Sequence, residues 1–172
     1  RGLGDVYKRQ VKAGFVTMVA ANYLKPKESP DAWVVEVVNT MKTGDCDKLE
    51  KLLTSFFASI PYSQRRKDDE REKERYFQYT FYLVIRMISS FTVLIEKEQS
   101  EGRVDCIIET PMFVYIFEFK RDGSATEALK QIEEKGYARE YATDNRTIYL
   151  IGCNFSSKTG TIDDWKSKGK SV

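Results

Sequence analysis

Between Asp45 and Ser59 the apolar residues Leu49, Leu52, Leu53, Phe56 and Phe57 recur at the three-to-four-residue spacing of an amphipathic helix, which Pro61 ends. Pro26 and Pro30 break the chain before another helical stretch, Asp31–Met41, and Val11–Asn22 reads as partly buried. The mixed-charge run Gln64–Arg75 leads into Tyr76, Phe77, Thr80, Phe81, Leu83, Val84, Met87 and Ile88. That pattern predicts one long helix with a solvated start and buried later turns. From Phe91 the pattern becomes strand-like, over Phe91–Glu98, Arg103–Thr110 and Phe113–Lys120, with Gln99–Gly102 and Thr110-Pro111-Met112 between them. Ser124 can cap a helix over Ala125–Tyr141 with Ala128, Leu129 and Ile132 inward, and Asp144-Asn145 turns the chain into a last apolar strand, Thr147–Cys153. A strand, a helix and a second strand in that order imply a right-handed parallel crossover. The predicted class is therefore α/β, an α-β-β-β-α-β core with a mixed central sheet behind a helical lead-in. The polar stretch Lys158–Val172 reads as a fraying tail.

The 172 residues suffice for one domain with a real core and not for two, and 41% hydrophobic with 13% aromatic residues describes an ordinary globular chain. A formal net charge of +2 supplies no global basic field, so binding of nucleic acid would need a local patch. Cys46, Cys106 and Cys153 are odd in number and widely spaced, which argues against a disulfide framework or a cysteine metal site and for a reducing cytoplasm. Histidine is absent, which excludes Ser-His-Asp and Cys-His catalysis and HEXXH zinc sites. Carboxylates and lysines must carry any chemistry. Phe77–Ile95 is interrupted by Gln78, Arg86 and Ser89-Ser90 and does not read as a membrane span, so a soluble protein with no membrane partner is expected. Arg1–Gln10 lacks an apolar signal region, and Asp5-Val6-Tyr7-Lys8-Arg9-Gln10 resembles translated sequencing-adapter text. The natural chain is expected to extend further N-terminally.

If Pro111 and Met112 form a two-residue hairpin turn, the pairing that follows places Asp105 directly across from Glu118, with Lys120 on the same sheet face. Facing carboxylates repel by a few tenths to about 1 kcal/mol when solvated, and by several times that in a less polar cleft. A divalent cation or a lysine would relieve the repulsion. Glu109 would share this face, as an auxiliary acid or as a solvated side chain.

Four blocks carry a family likeness: Gly102-Arg103-Val104-Asp105; Tyr115-Ile116-Phe117-Glu118-Phe119-Lys120; Ala128-Leu129-Lys130-Gln131-Ile132 with Gly136-Tyr137-Ala138; and Glu74-Arg75-Tyr76-Phe77-Gln78 before Phe81-Tyr82-Leu83. Taken in their order along the chain, they resemble the PD-(D/E)xK nuclease superfamily, and within it a bacterial group whose nuclease-like domain follows an AAA-ATPase-like domain. That ATPase-like domain is absent from this sequence, and Ala58-Ser59-Ile60-Pro61-Tyr62 looks like the connector before the nuclease-like domain. The resemblance implies a restriction-endonuclease-like fold, and the chain is expected to divide into non-native sequence (1–10, from the adapter-like text), a helical lead-in or connector (11–63), the nuclease-like domain (64–165) and a polar tail (166–172).

It further implies a Mg²⁺-dependent phosphodiesterase, with Mn²⁺ able to substitute. Asp105, Glu118 and the backbone carbonyl of Phe119 are then hard oxygen ligands of the ion, and Lys120 orients or deprotonates the attacking water or pairs with the phosphate. Acting as a base near neutrality would require a depressed lysine pKa, which the orienting role does not. Glu74 matches a helix glutamate that approaches the metal directly or through water, or is one more carboxylate on a solvated helix start. Gln131 matches a helix glutamine that binds the phosphate or the water, or merely flanks the apolar stripe, and Tyr137 reads as a core-edge aromatic.

Arg103, Lys120, Arg121 and Lys130 are candidate phosphate contacts. Arg65-Arg66-Lys67 reads as the solvated entry to a helix, and Trp33 and Trp165 as packing residues. The implied partner is nucleic acid, DNA ahead of RNA because nothing in the chain resembles a module that reads a 2′-hydroxyl. A homodimer stays open. The alternative is a non-catalytic nucleic-acid-binding or regulatory module of an ATPase-linked protein, since a fold alone does not establish activity.

Overall fold

The computed structural model describes residues 30–60, 80–86 and 91–170. The readings of Val11–Asn22, of the charged run with Arg65-Arg66-Lys67 and Glu74, and of Met87 and Ile88 lie outside the described residues. The lead-in consists of α1 (Pro30–Thr43) and α2 (Cys46–Ser59), and residues 80–86 form a further helical segment, α3. Asp45 starts α2 by accepting the Lys48 N–H at 2.9 Å, the N-cap bond that satisfies one of the helix's first free donors.

Then follow β1 (Thr92–Gln99), β2 (Gly102–Glu109), β3 (Phe113–Arg121), α4 (Ala125–Glu134), a 3₁₀ turn (Tyr137–Tyr141), β4 (Thr147–Phe155) and β5 (Ile162–Lys170). The strands form one sheet in sequence order, in which the β3–β4 contact alone is parallel. This is the mixed sheet that the strand-helix-strand order predicts. Pro111 and Met112 form the turn of the β2–β3 hairpin, closed by the Thr110 N–H donating to the Phe113 carbonyl at 2.9 Å and the Phe113 N–H donating to Thr110 Oγ1 at 2.9 Å. The register then runs from Glu109↔Val114 to Cys106↔Phe117, as that turn requires.

Alternation along β3 divides the core into two layers. Phe113, Tyr115, Phe117 and Phe119 enter the cluster under α1, α2 and α3, where Phe81 meets Phe119 at 4.7 Å and Phe57 meets Phe155 at 5.1 Å between ring centroids. Trp33 stacks on Phe56 and Trp165 lies edge-on to Phe117, so both tryptophans are packing residues. Val114 and Ile116 enter the opposite cluster with Ile107, Ile132, Tyr137, Ile148 and Leu150, beneath α4 and the 3₁₀ turn. Covered on both faces, β3 reads as a nearly continuous apolar run. The three cysteines are buried. Among the described residues no helix is long and apolar enough to cross a membrane.

Two expectations need correction. The helix predicted over Ala125–Tyr141 ends at Glu134, because Gly136 takes the left-handed conformation (φ 62°) that stops helices and the chain continues as a 3₁₀ turn. The supposed tail, including residues 166–170, is largely strand β5, paired with β4 from Phe155↔Ile162 to Ile148↔Lys170. Its apolar residues Ile162 and Trp165 are buried, while Lys166, Lys168 and Lys170 project from an outer strand, where lysine discourages pairing with another sheet.

Candidate active site

At Asp105 strand β2 parts from β3. The ladder ends at Cys106↔Phe117, and the Phe119 N–H donates instead to Asp105 Oδ2 at 2.9 Å. Glu118, continuing the α4-facing set of Val114 and Ile116, is 3% exposed. Its Oε1 accepts a hydrogen bond from Gln131 Nε2, and its Oε2 is buried with no hydrogen-bond partner among the described residues. Lys120 Nζ stands 3.7 Å from Glu118 Oε1 and donates to Gln131 Oε1 at 2.6 Å. The structure thus brings together Asp105, Glu118, Lys120 and Gln131, with the Phe119 backbone against Asp105.

Gln131 can reach the strand because Gly152 lies opposite Glu118 on β4. A Cβ at Gly152 would stand 2.2 Å from the Ala125 carbonyl oxygen and 2.9 Å from Leu129 N, so α4 packs against bare backbone. The start of α4 is fixed by Ser124, whose Oγ accepts the Glu127 N–H, and by Asp164, which accepts the Ala125 N–H at 2.8 Å. Asn154, the buried partner of Lys120 across the parallel ladder, accepts the Gly123 N–H at 2.9 Å and donates to Asp163. Sequence reasoning missed these supports. Gly152 had a signal, a glycine inside an apolar strand, which often marks close backbone approach; Asn154 and Asp164 had none.

Burial raises both carboxyl groups. Asp105 is shifted up by burial, opposed by the Phe119 N–H and then by Lys120 and Arg103. Burial, then the charge of Asp105, pushes Glu118 up to about 8. The fit to a divalent ion rests on the donors themselves: two adjacent carboxylates, one with a buried, unpartnered oxygen, suit a hard cation. Mg²⁺ commonly takes one or two carboxylates and keeps several waters, so a third acidic side chain is not required of the protein. Among the described residues no group of three or more acidic or sulfur side chains has a metal-holding arrangement.

A model of the PD-(D/E)XK nuclease superfamily matches residues 72–165, more than half of the chain. The chain belongs to this superfamily. It is also 30% identical over 155 residues to a protein of Azotobacter chroococcum mcd 1 described as "Uncharacterized protein in vnfD 5'region", a match covering 89% of this chain and 30% of that relative. The chain thus spans about a third of the relative's length.

Within this PD-(D/E)XK domain, Asp105 lies on β2 and Glu118-Phe119-Lys120 on β3, and the other candidates sort around them. Tyr137 is buried in the core cluster and donates its hydroxyl to the Arg103 carbonyl at 2.9 Å, the core-edge role expected. Arg103 lies near enough to Asp105 to offset its charge. Arg121 falls on the opposite face from Lys120, 3.6 Å from Asp122, and Lys130 points outward to Glu134 at 3.5 Å. Neither joins the carboxylates. Glu109, expected on the sheet face of Asp105, is engaged at the far end of β2, where it accepts from Tyr141 Oη at 2.8 Å and stands 3.5 Å from Arg146. It is a structural acid there.

Proposed function

We propose that this domain is a metal-dependent nuclease that hydrolyses phosphodiester bonds in DNA. The observation that carries the reading is the buried pair Asp105 and Glu118, with an unpartnered carboxylate oxygen, beside the ammonium of Lys120. Asp105, Glu118 and the Phe119 carbonyl would hold Mg²⁺ or Mn²⁺, and Glu74 is the further carboxylate expected to approach it. When bound, the ion supplies an acidified water and offsets charge on the scissile phosphate. Lys120 then orients that water or contacts the phosphate, and Gln131 keeps Lys120 and Glu118 at a fixed separation. Arg103 supplies a positive charge at the mouth of the site for the nucleic-acid backbone. Hydrolysis follows in-line attack of water. Cytoplasmic DNA is the proposed partner, with an ATPase-like domain elsewhere in a longer protein and with a homodimer as the assembly to test.

The short span relative to the Azotobacter protein favours a second reading, a non-catalytic module serving a larger polypeptide. Calorimetric titration with Mn²⁺ separates the two. The nuclease reading predicts binding to the intact chain that is lost in Asp105→Asn and Glu118→Gln, and it fails if the intact chain binds none or if both variants bind as well as the parent.

A further inference from the structure

Where Asp105 leaves β3, the strand on its other side is irregular too. Strands β1 and β2 pair from Thr92↔Glu109 to Ile95↔Cys106 and resume, in unchanged register, from Lys97↔Val104 to Gln99↔Gly102. The interruption falls at Glu96, opposite Asp105. Glu96 has φ 49°, the left-handed conformation that a residue bearing a Cβ resists.

Side chains exchange faces across this point. Leu94 packs against the cluster beneath α4, yet Lys97, three residues on, reaches the same side, pairing with Glu140 and lying 6.0 Å from the centroid of the Tyr141 ring. On β2, Val104 and Ile107 both belong to that cluster, whereas Cys106 and Ile108 belong to the opposite one. Regular strands would place residues three apart on opposite faces. Both strands therefore turn over by one residue at the Glu96/Asp105 step. An irregularity of this kind can re-aim a side chain, and backbone held in a disfavoured region is a reason to ask what it serves.

We propose that Glu96 is a positioning residue: its left-handed backbone turns β1 and β2 at Asp105 and so delivers the Asp105 carboxylate to the Phe119 N–H and into the site. The purpose of this delivery rests on the nuclease reading, whereas the geometry does not. The Glu96 carboxylate is exposed and stands 3.8 Å from Arg103, and its charge also reaches Asp105; every substitution below removes that charge, so comparison among them reads the backbone conformation alone.

Glycine and asparagine enter the left-handed region readily, and a β-branched residue does not. Hydrogen exchange of the Phe119 amide and calorimetric Mn²⁺ titration, both on the full chain, test the assignment. Glu96→Val is expected to speed exchange at Phe119 and to weaken Mn²⁺ binding by about tenfold or more, the scale of losing a ligand's support. Glu96→Gly and Glu96→Asn should keep both properties close to those of the parent. A Glu96→Val protein that matches the parent in both overturns the proposal, as does a Glu96→Gly protein that loses both. If Glu96→Val does not fold, Glu96→Ala, which also resists positive φ, is read in its place. If the parent binds no Mn²⁺ but exchange at Phe119 still rises in the Val or Ala variant and not in Gly or Asn, the metal reading fails and the positioning role stands.

Discussion

Gln131 donates through its amide nitrogen to Glu118 Oε1 and accepts the ammonium of Lys120 on its amide oxygen at 2.6 Å. One side chain thereby sets the separation of the other two, and the two bonds fix which way the amide points. Gln131→Leu is expected to lower the cleavage rate or the metal affinity by about 10- to 100-fold, the usual loss when a ligand's hydrogen-bond support is removed. The melting temperature should change little because Gln131 is only half-buried. Cleavage kinetics beside a thermal melt check both statements.

The raised carboxyl group of Glu118 gives the metal-free protein a definite pH response. Its folded-state pKa, about 8, lies above the ordinary value of 4.5. The protonated form therefore stabilises the fold fully below about 4.5, and that contribution is lost as pH rises through about 8. Metal-free protein should melt at lower temperature as pH climbs across this window, and Glu118→Gln should flatten the trend. Mn²⁺ must displace the proton, so its affinity should rise with pH up to about 8 and proton release should accompany binding.

Gly152 holds α4 against the sheet opposite Glu118. In Gly152→Ala the new methyl would meet the Ala125 carbonyl at 2.2 Å, so the helix must move away. A loss of about 1–3 kcal/mol in denaturant unfolding is expected, the usual cost of overpacking. Activity should fall further than stability alone explains, because Gln131 moves with the helix.

Glu109 serves as the internal control. Its carboxylate is held by Tyr141 and Arg146 away from the other two acids. Glu109→Gln should leave cleavage and Mn²⁺ binding unchanged and cost about 1 kcal/mol or less, as expected for a partly exposed pair. A strong loss of activity without a loss of stability would return Glu109 to the site.

Much of the fold was legible because a few local rules were strong. A Pro-Met turn between two apolar runs fixed the β2–β3 register as far as Cys106↔Phe117, but the direct pairing of Asp105 with Glu118 expected from that register does not form, because β2 leaves β3 at Asp105 and its carboxylate takes the Phe119 N–H instead. Lys-Ser-Lys-Gly-Lys in β5 misled because the protection of an outer strand and the solvation of a tail call for the same residues. The end of α4 was misjudged because the apolar stripe continues through Tyr137 and Tyr141, and the left-handed Gly136 outweighed it. Period-two alternation put Glu109 on the face of Asp105, but alternation gives a face and not a position along it. The turn at Glu96 was not legible, since no rule expects glutamate at positive φ.

On the nuclease reading, Asp105, Glu118 and Lys120 form a working phosphodiesterase site. The most direct test of this reading is cleavage of supercoiled plasmid and single-stranded DNA with Mg²⁺ or Mn²⁺, by the parent chain and by Glu118→Ala and Lys120→Ala, with an EDTA control. A working site gives metal-dependent nicking by the parent that disappears in EDTA and in both folded variants. Nicking that persists in both variants, or a folded parent that cuts neither substrate with either metal, would contradict it.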